Sequence, residues 1–411
     1  MYSPKIVQES QDRIEREMGW KLKRYEPEQS WGVSASLDAQ RRAVLDGGSF
    51  SPDRQRFVDN EMLLCKIDFR YFARYINIDL DGGGAGPLKL QESQDIALSR
   101  YFAPAEERMW EAVARKEPVD GLLFLWNKAR QIYATTLVRA MTFHRLIFTA
   151  DIKAMVAPAE DQQINPMYER DAKLLAGIPW WMRPSTNDPD NGGYNAKDEH
   201  ISFAGAPGRA PLHSYLRYYS GTTKGGIGQS VQYQLQHITE TAFWPDPFKQ
   251  LDYILDPACP QSIHTLNVRE STSDGRGDWW HYNTEAARKH ETKWGYIFMP
   301  WYVVSNKRRR MPPPDWSPDT LTFQHADLVI KTSPEWLGKT VTLDRQQLYW
   351  WETERKEHQK KGALGTFYTN YPATPEESFQ HSGNMAFTAE QIEGWRLKCS
   401  IPDGLEVVNR A

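Results

Sequence analysis

Hydrophobic and polar positions change rhythm twice along this chain. Residues 3–24 carry a charged, weakly amphipathic helical spacing. The Trp, Gly and Ser of 30–36 break it, and 53–76 resumes it with Phe57, Met62, Leu63, Ile67 and Tyr71 at helical intervals. DLDGGGAGP at 79–87 is a glycine-rich turn with no Lys-Ser/Thr behind it, so it reads as a connector rather than a phosphate loop. From residue 121 onward short apolar runs alternate with helical stretches. The pattern predicts strands over 121–126, 152–156, 200–203, 231–238 and 262–268, helices over 135–148 and 158–176, and a polar loop over 183–199. Strands separated by helices predict an α/β fold with a mostly parallel sheet.

Composition narrows this only in places. A chain of 411 residues is long enough for two or three domains. Fifty basic against fifty-three acidic residues, a net charge of -3, argue against a protein that coats nucleic acid and leave room for a local basic patch. No run of apolar residues reaches membrane-spanning length, and the charged first 25 residues lack the apolar core of a secretory signal. Cys65, Cys259 and Cys399 are far apart and form no CxxC pair. They read as small buried side chains in a reducing compartment, with no structural metal site. The tryptophan doublets 180–181, 279–280 and 350–351 read either as base-stacking surfaces or as packing, and packing is the commoner use.

Three segments carry candidate chemistry for a nucleotide hydrolase. Such an enzyme needs backbone N–H groups and a cation around phosphates, a hydroxyl for Mg²⁺ and a carboxylate that orients water. The first segment is KARQIYATT (128–136), which follows the 121–126 strand and opens a helix. Lys128 and Arg130 supply charge, and Thr135 stands where a P-loop keeps its metal-binding hydroxyl. Tyr133 stands at the second glycine position of the standard motif and Ala134 at its lysine. The same letters also fit an ordinary strand-to-helix turn with solvated charges. The second segment is HITETAFWPD (237–246). Glu240 ends a strand, where open α/β sheets bind ligands, and is the candidate water-orienting carboxylate. Thr239 occupies the place of the usual metal-shell aspartate. A helix N-terminal acid is the other reading of Glu240. The third is RESTSDGRGDWW (269–280), where Ser271 and Thr272 are positioned to sense a γ-phosphate. A plain glycine turn is the alternative.

Together these stretches resemble the large terminase subunit of tailed bacteriophages, the ATPase that packages viral DNA. KARQIYATTLVRA is similar to that family's variant phosphate loop, HITETAFWPDP to its catalytic-glutamate segment, and RESTSDGRGDWW to its coupling motif. WGYIFMPWYV (294–303) resembles the segment leaving the ATPase core, and YPATPEESFQHSGNMAF (371–387) the stretch leading toward a nuclease. The resemblance spans about residues 60–390. It implies a RecA-like (ASCE P-loop NTPase) core over 61–300, an N-terminal helical segment over 1–60, and a small lid subdomain with linker over 301–411. It implies nucleotide contacts from Gln94 (in LKLQESQDI, as the adenine-contacting glutamine), Lys128, Arg130, Gln131, Thr135 and Thr136. It further implies Mg²⁺ at Thr135 and Thr239, catalysis by Glu240 and Arg130, and coupling through Ser271 and Thr272. Tyr133 departs from the family, which keeps glycine there so that backbone can approach phosphate.

The expected cofactors are ATP and Mg²⁺. Expected partners are double-stranded DNA, the portal protein of a procapsid and a small terminase subunit, with no membrane. The expected form is a homo-oligomeric ring when packaging, or a monomer in isolation. The expected place is the host cytoplasm, docked transiently at the portal vertex. The family's second, metal-dependent nuclease domain has no room before Ala411, so no DNA cleavage is expected of this chain. Lys307, Arg308, Arg309 and Arg310, followed by three prolines, form the densest basic run, either a contact for DNA or portal or a solvated loop. A degenerate ATPase fold that only docks on its partners is the competing reading. No helicase-type motif follows the coupling segment.

Overall fold

The computed structural model describes residues 1–79, 83–186, 194–195, 200–205, 212–223, 227 and 231–380. Cys399, residues 381–387 of the linker-like stretch, most of the polar loop and the tip of the glycine-rich turn lie outside the described residues.

Strands β1 (Asn77–Asp79) and β2 (Ala85–Pro87) pair antiparallel, so the glycine-rich connector joins the arms of a short hairpin. The other strands form one sheet: β3 (Leu122–Lys128), β4 (Lys153–Ala157), β5 (Ser185–Thr186), β6 (Tyr194–Asn195), β7 (His200–Gly205), β8 (Ser214–Tyr218), β9 (Leu235–Thr239), β10 (Leu266–Ser271) and β11 (Gly295–Met299). Their spatial order is β11-β3-β10-β9-β4-β8-β7-β5, with β6 on β7. The six strands from β11 to β8 run parallel. β7 lies antiparallel on β8 and carries β5 and β6 antiparallel at the edge. This is the expected RecA-like α/β sheet, with β10 inserted between β3 and β9.

The central strand shows why the sheet forms. β3 is apolar at both parities, as a strand covered on both faces must be. Leu122, Phe124 and Trp126 pack into the main core with Leu137, Val138 and Met141 of the helix Ala134–Phe148. Leu123 and Leu125 pack on the opposite face with Trp280, Ala287 and Trp294. Strand alternation therefore assigns each residue at the tip of β3 to one side or the other.

Local departures from the sequence pattern have local causes. Residues 30–36 are not a break but lie in a helix, Pro27–Ser36, which starts with proline at its first turn. Its Ser30 is buried, with Oγ 3.3 Å from Glu61. The strand expected over 231–238 begins only at Leu235, and the one expected over 262–268 is displaced to Leu266–Ser271 by a tight turn closed by Thr265 N on Ser262 O. β8 alternates buried and half-buried positions and is a strand that the sequence pattern does not announce. The helix expected from 158 begins at Ile164. The tryptophan doublets are packing: Trp180, Trp181, Trp280 and Trp351 are buried.

After β11 the helices Thr320–Leu337, Arg345–Lys360 and Leu364–Asn370 make a small helical group, in the segment expected as a lid. Inside it His325 stacks on Trp351 at 3.9 Å. Among the described residues no helix is long and apolar enough to cross a membrane.

Candidate active site

The site begins where β3 ends. Residues 129–133 turn the chain, and the helix Ala134–Phe148 starts with no capping side chain. Its first N–H groups therefore point outward unpaired by the helix, an arrangement that attracts anions. Gln131 (φ 54°) and Tyr133 (φ 63°) are both left-handed. That conformation costs a non-glycine residue about 1 kcal/mol and accounts for the glycine usual at such positions. The turn is held from behind. Ser93 Oγ donates to Ile132 O at 2.7 Å, and Gln94 Nε2 donates to Tyr133 O at 3.1 Å. Gln94 Oε1 accepts from Gln91 N, capping its own helix. Gln94 is thus buried, with both ends of its amide engaged by protein, and it supports the loop rather than lining the cleft.

A cleft of about 640 Å³ opens over this turn, lined among others by Lys128, Gln131, Tyr133, Thr135, Thr136 and Lys307. The Lys307 ammonium sits 4.3 Å from the Tyr133 ring centroid, so the first residue of the basic run belongs to the cleft wall.

Beneath the cleft lies a buried polar cluster that alternation assembles. Lys128 shares a face with Phe124 and Trp126. Parallel register sets Glu270 beside Trp126 on one side and Thr239 on the other. Glu270, fully buried, receives Thr135 Oγ1 and Thr239 Oγ1 on the same carboxylate oxygen, each at 2.6 Å. Its other oxygen meets Lys128 Nζ at 3.0 Å, and His237 Nε2 stands 3.5 Å from the oxygen that the two threonines share. Burial alone would raise the Glu270 pKa, but the Lys128 charge, with His237 and Thr135, holds it well below the ordinary carboxylate range. Burial pushes the pKa of His237 itself below its ordinary value. The structure thus gathers the predicted Lys128, Thr135 and Thr239 around an acid that sequence reasoning did not single out. Its only local signal was an acidic residue two positions beyond the strand expected over 262–268.

The other predicted residues fall around this centre. Glu240 follows β9 in a left-handed conformation (φ 55°) and accepts Gln163 Nε2 at 2.7 Å. It therefore faces the segment after β4, apart from the Glu270 cluster. Ser271 and Thr272 are buried, and Ser271 Oγ accepts from Ala242 N, tying β10 to the turn after Glu240. On that same opposite face Asn127 Nδ2 donates to Ser378 Oγ at 2.8 Å, and Ser273 Oγ lies 3.2 Å from both Asn127 Oδ1 and Ser378 Oγ. Arg130 reaches the lid: its Nε donates to Asn370 Oδ1 at 2.6 Å and its backbone N to Asn370 O. Arg308 donates to Trp301 O and to Arg130 O, and burial lowers its pKa to about 10. Arg309 pairs with Asp344, and Arg310 with Glu354 and Glu357. The three arginines of the basic run thus tie residues 308–310 to the turn after β3 and to the helix Arg345–Lys360 with its cap Asp344.

No family model matches the chain, and no curated protein matches it in sequence. Solved structures similar to it include the HK97 bacteriophage large terminase, 12% identical with a TM-score of 0.45 over 75% of this chain and 55% of that one. The Thermus phage P74-26 large terminase ATPase domain is 11% identical, TM-score 0.39, over 66% and 92%. The large terminase of a thermophilic bacteriophage in complex with ATP-gamma-S is 10% identical, TM-score 0.33, over 55% and 48%. The chain spans about half the length of the HK97 protein.

Proposed function

We propose that this chain hydrolyses ATP and uses the energy to translocate double-stranded viral DNA through a portal into a preformed capsid. The supporting observation is the uncapped helix start at Ala134, with Thr135 and Lys128 lining a 640 Å³ cleft. Backbone N–H groups, Lys128 and Lys307 would receive the phosphates. Arg130 would leave Asn370 to meet a γ-phosphate, and Glu240 would orient the attacking water. Ser271 and Thr272 would couple occupancy to movement. The packaging role rests on the order of the sequence motifs. It brings with it the portal, a small terminase subunit, a ring of copies at the capsid vertex, and the host cytoplasm as the place of action.

Mg²⁺ fits the residues present. Hydroxyl and carboxylate oxygens are its preferred donors, and beside a nucleotide it takes few protein ligands. Among the described residues no group of three or more His, Cys, Asp and Glu side chains forms a cage, so the protein's share is Thr135, with Thr239 behind it. When bound, the ion would supply positive charge that offsets the charge of the phosphates.

The test is ATP hydrolysis by the purified chain, with and without DNA and portal-bearing capsids, against Glu240→Gln. A loss of about 10²-fold or more in the variant supports the assignment. A second reading, a docking module without turnover, is favoured by the Tyr133 ring and its Lys307 partner where backbone should approach phosphate. No hydrolysis in any condition, with partner binding intact, would select it.

A further inference from the structure

We propose that Glu270, on β10, supplies the metal-supporting carboxylate that P-loop NTPases carry at the tip of the strand corresponding to β9. The inference rests on the nucleotide site proposed above. In such enzymes the loop hydroxyl and an aspartate from that strand hold Mg²⁺ together. Here the tip of β9 offers Thr239, whose hydroxyl carries no charge. The parallel register puts Glu270 directly beside Thr239, one strand nearer the loop.

The hydrogen bonds show what this placement does. Thr135 and Thr239 both donate to Glu270 Oε1 at 2.6 Å. Each hydroxyl proton is thereby turned inward, and each hydroxyl oxygen keeps its lone pairs for a cation or for a cation's water. Lys128, at 3.0 Å from Oε2, pairs with the acid in a buried setting. Glu270 thus orients Thr135 and adds a negative charge behind the ion. Thr239 relays that charge in place of an aspartate. A plain counter-ion for Lys128 needs neither hydroxyl bond. Glu270 is a positioning residue, and its effect should appear in metal binding before turnover.

The experiment titrates Mn²⁺, read by electron paramagnetic resonance, into the full chain with a non-hydrolysable ATP analogue. Fluorescent-ATP affinity in EDTA is measured alongside. Glu270→Gln should weaken Mn²⁺ in the ternary complex about tenfold or more, the usual scale for removing a supporting carboxylate. Metal-free nucleotide binding should hold or tighten, because Lys128 is released toward phosphate. The double change Thr239→Asp with Glu270→Gln moves the carboxylate to β9 and should recover most of the Mn²⁺ affinity. If Glu270→Gln does not fold, Glu270→Asp keeps the charge for Lys128 while withdrawing the oxygen, and should weaken Mn²⁺ about threefold or more. Parental Mn²⁺ affinity in the folded variant overturns the proposal, as does an equal loss of nucleotide binding in EDTA. A parent chain that binds no nucleotide, with metal or without, overturns the site itself and this inference with it.

Discussion

Two fully buried glutamates invite comparison, Glu61 among the N-terminal helices and Glu270 near the strand tips of the sheet. Glu61 accepts from Tyr71 OH (2.7 Å), Tyr75 OH (2.5 Å), Asn60 (3.1 Å), Ser30 (3.3 Å) and Arg74 (3.4 Å). All five donors lie between residues 30 and 75. Burial and the Glu61 charge push both phenols well above their ordinary pKa. Glu270 draws its partners from residues 128, 135 and 239, two of which line a cleft. A buried acid saturated by its own neighbourhood is a fastening. One that gathers partners across the chain beneath a cleft is a candidate site. The difference lies in where the donors come from and what they face, since both acids are equally dry.

The largest effect that could break this contrast is on stability. Glu61→Ala leaves Arg74 and two phenols without their acceptor, and urea unfolding should show a loss of about 3–5 kcal/mol. Nucleotide affinity of the remaining folded protein should stay at the parental value. A comparable fall in affinity would mean that the two regions are not separable.

Matched deletions of one hydroxyl sharpen the contrast. Tyr75→Phe should cost about 1–2 kcal/mol of stability and leave metal-dependent nucleotide binding alone. Thr135→Val, which also removes one donor to a buried acid, should weaken metal-dependent binding about tenfold or more. It should move the unfolding midpoint less than Tyr75→Phe does.

Acid titration gives a third comparison. Glu270 is held below its ordinary value of 4.5 in the folded chain. Its contribution to stability is therefore complete above about pH 4.5 and is lost as pH falls below that value. Thermal melts from pH 7 down to pH 3 should show the parent losing more stability than Glu270→Gln. Parallel curves would remove the Lys128 pairing from the account.

The smallest expected effect is at the loop. Tyr133→Gly relieves a left-handed residue, worth about 1 kcal/mol, and clears the ring from the cleft wall. Nucleotide binding by fluorescence should tighten by up to about fivefold. An unchanged or weaker affinity would show that the Lys307–Tyr133 contact helps to hold the ligand.

Much of the sheet was visible in the sequence because β3 and β4 are short apolar runs bounded by polar turns. β8 escaped because its two-residue alternation is only five residues long and lies at the boundary of a polar stretch. The helix over 27–36 escaped because its composition favours turns. What stabilises it is distant, the acceptance of Ser30 by Glu61. Lys128, Thr135 and Thr239 could be named from their places after strands. Glu270 could not, because its meaning depends on three strands lying side by side in an order that no local pattern states. The arginines 308–310 read as a DNA or portal contact or a solvated loop for the same reason: Arg130 O, which accepts from Arg308, and the acid partners of Arg309 and Arg310 are remote in sequence.

The two-residue period at the end of β3 has a further consequence. Lys128 projects into the Glu270 cluster, and Asn127, one step earlier, projects to the other side, where it bonds Ser273 and Ser378. A single insertion or deletion between Leu122 and Asn127 would swap the two faces. It would put the amide where the ammonium belongs and the ammonium among hydroxyls. The strand is therefore intolerant of length change even where its individual side chains are replaceable. Variation in this protein has to enter through substitution along β3 and through length only in the turns that follow it.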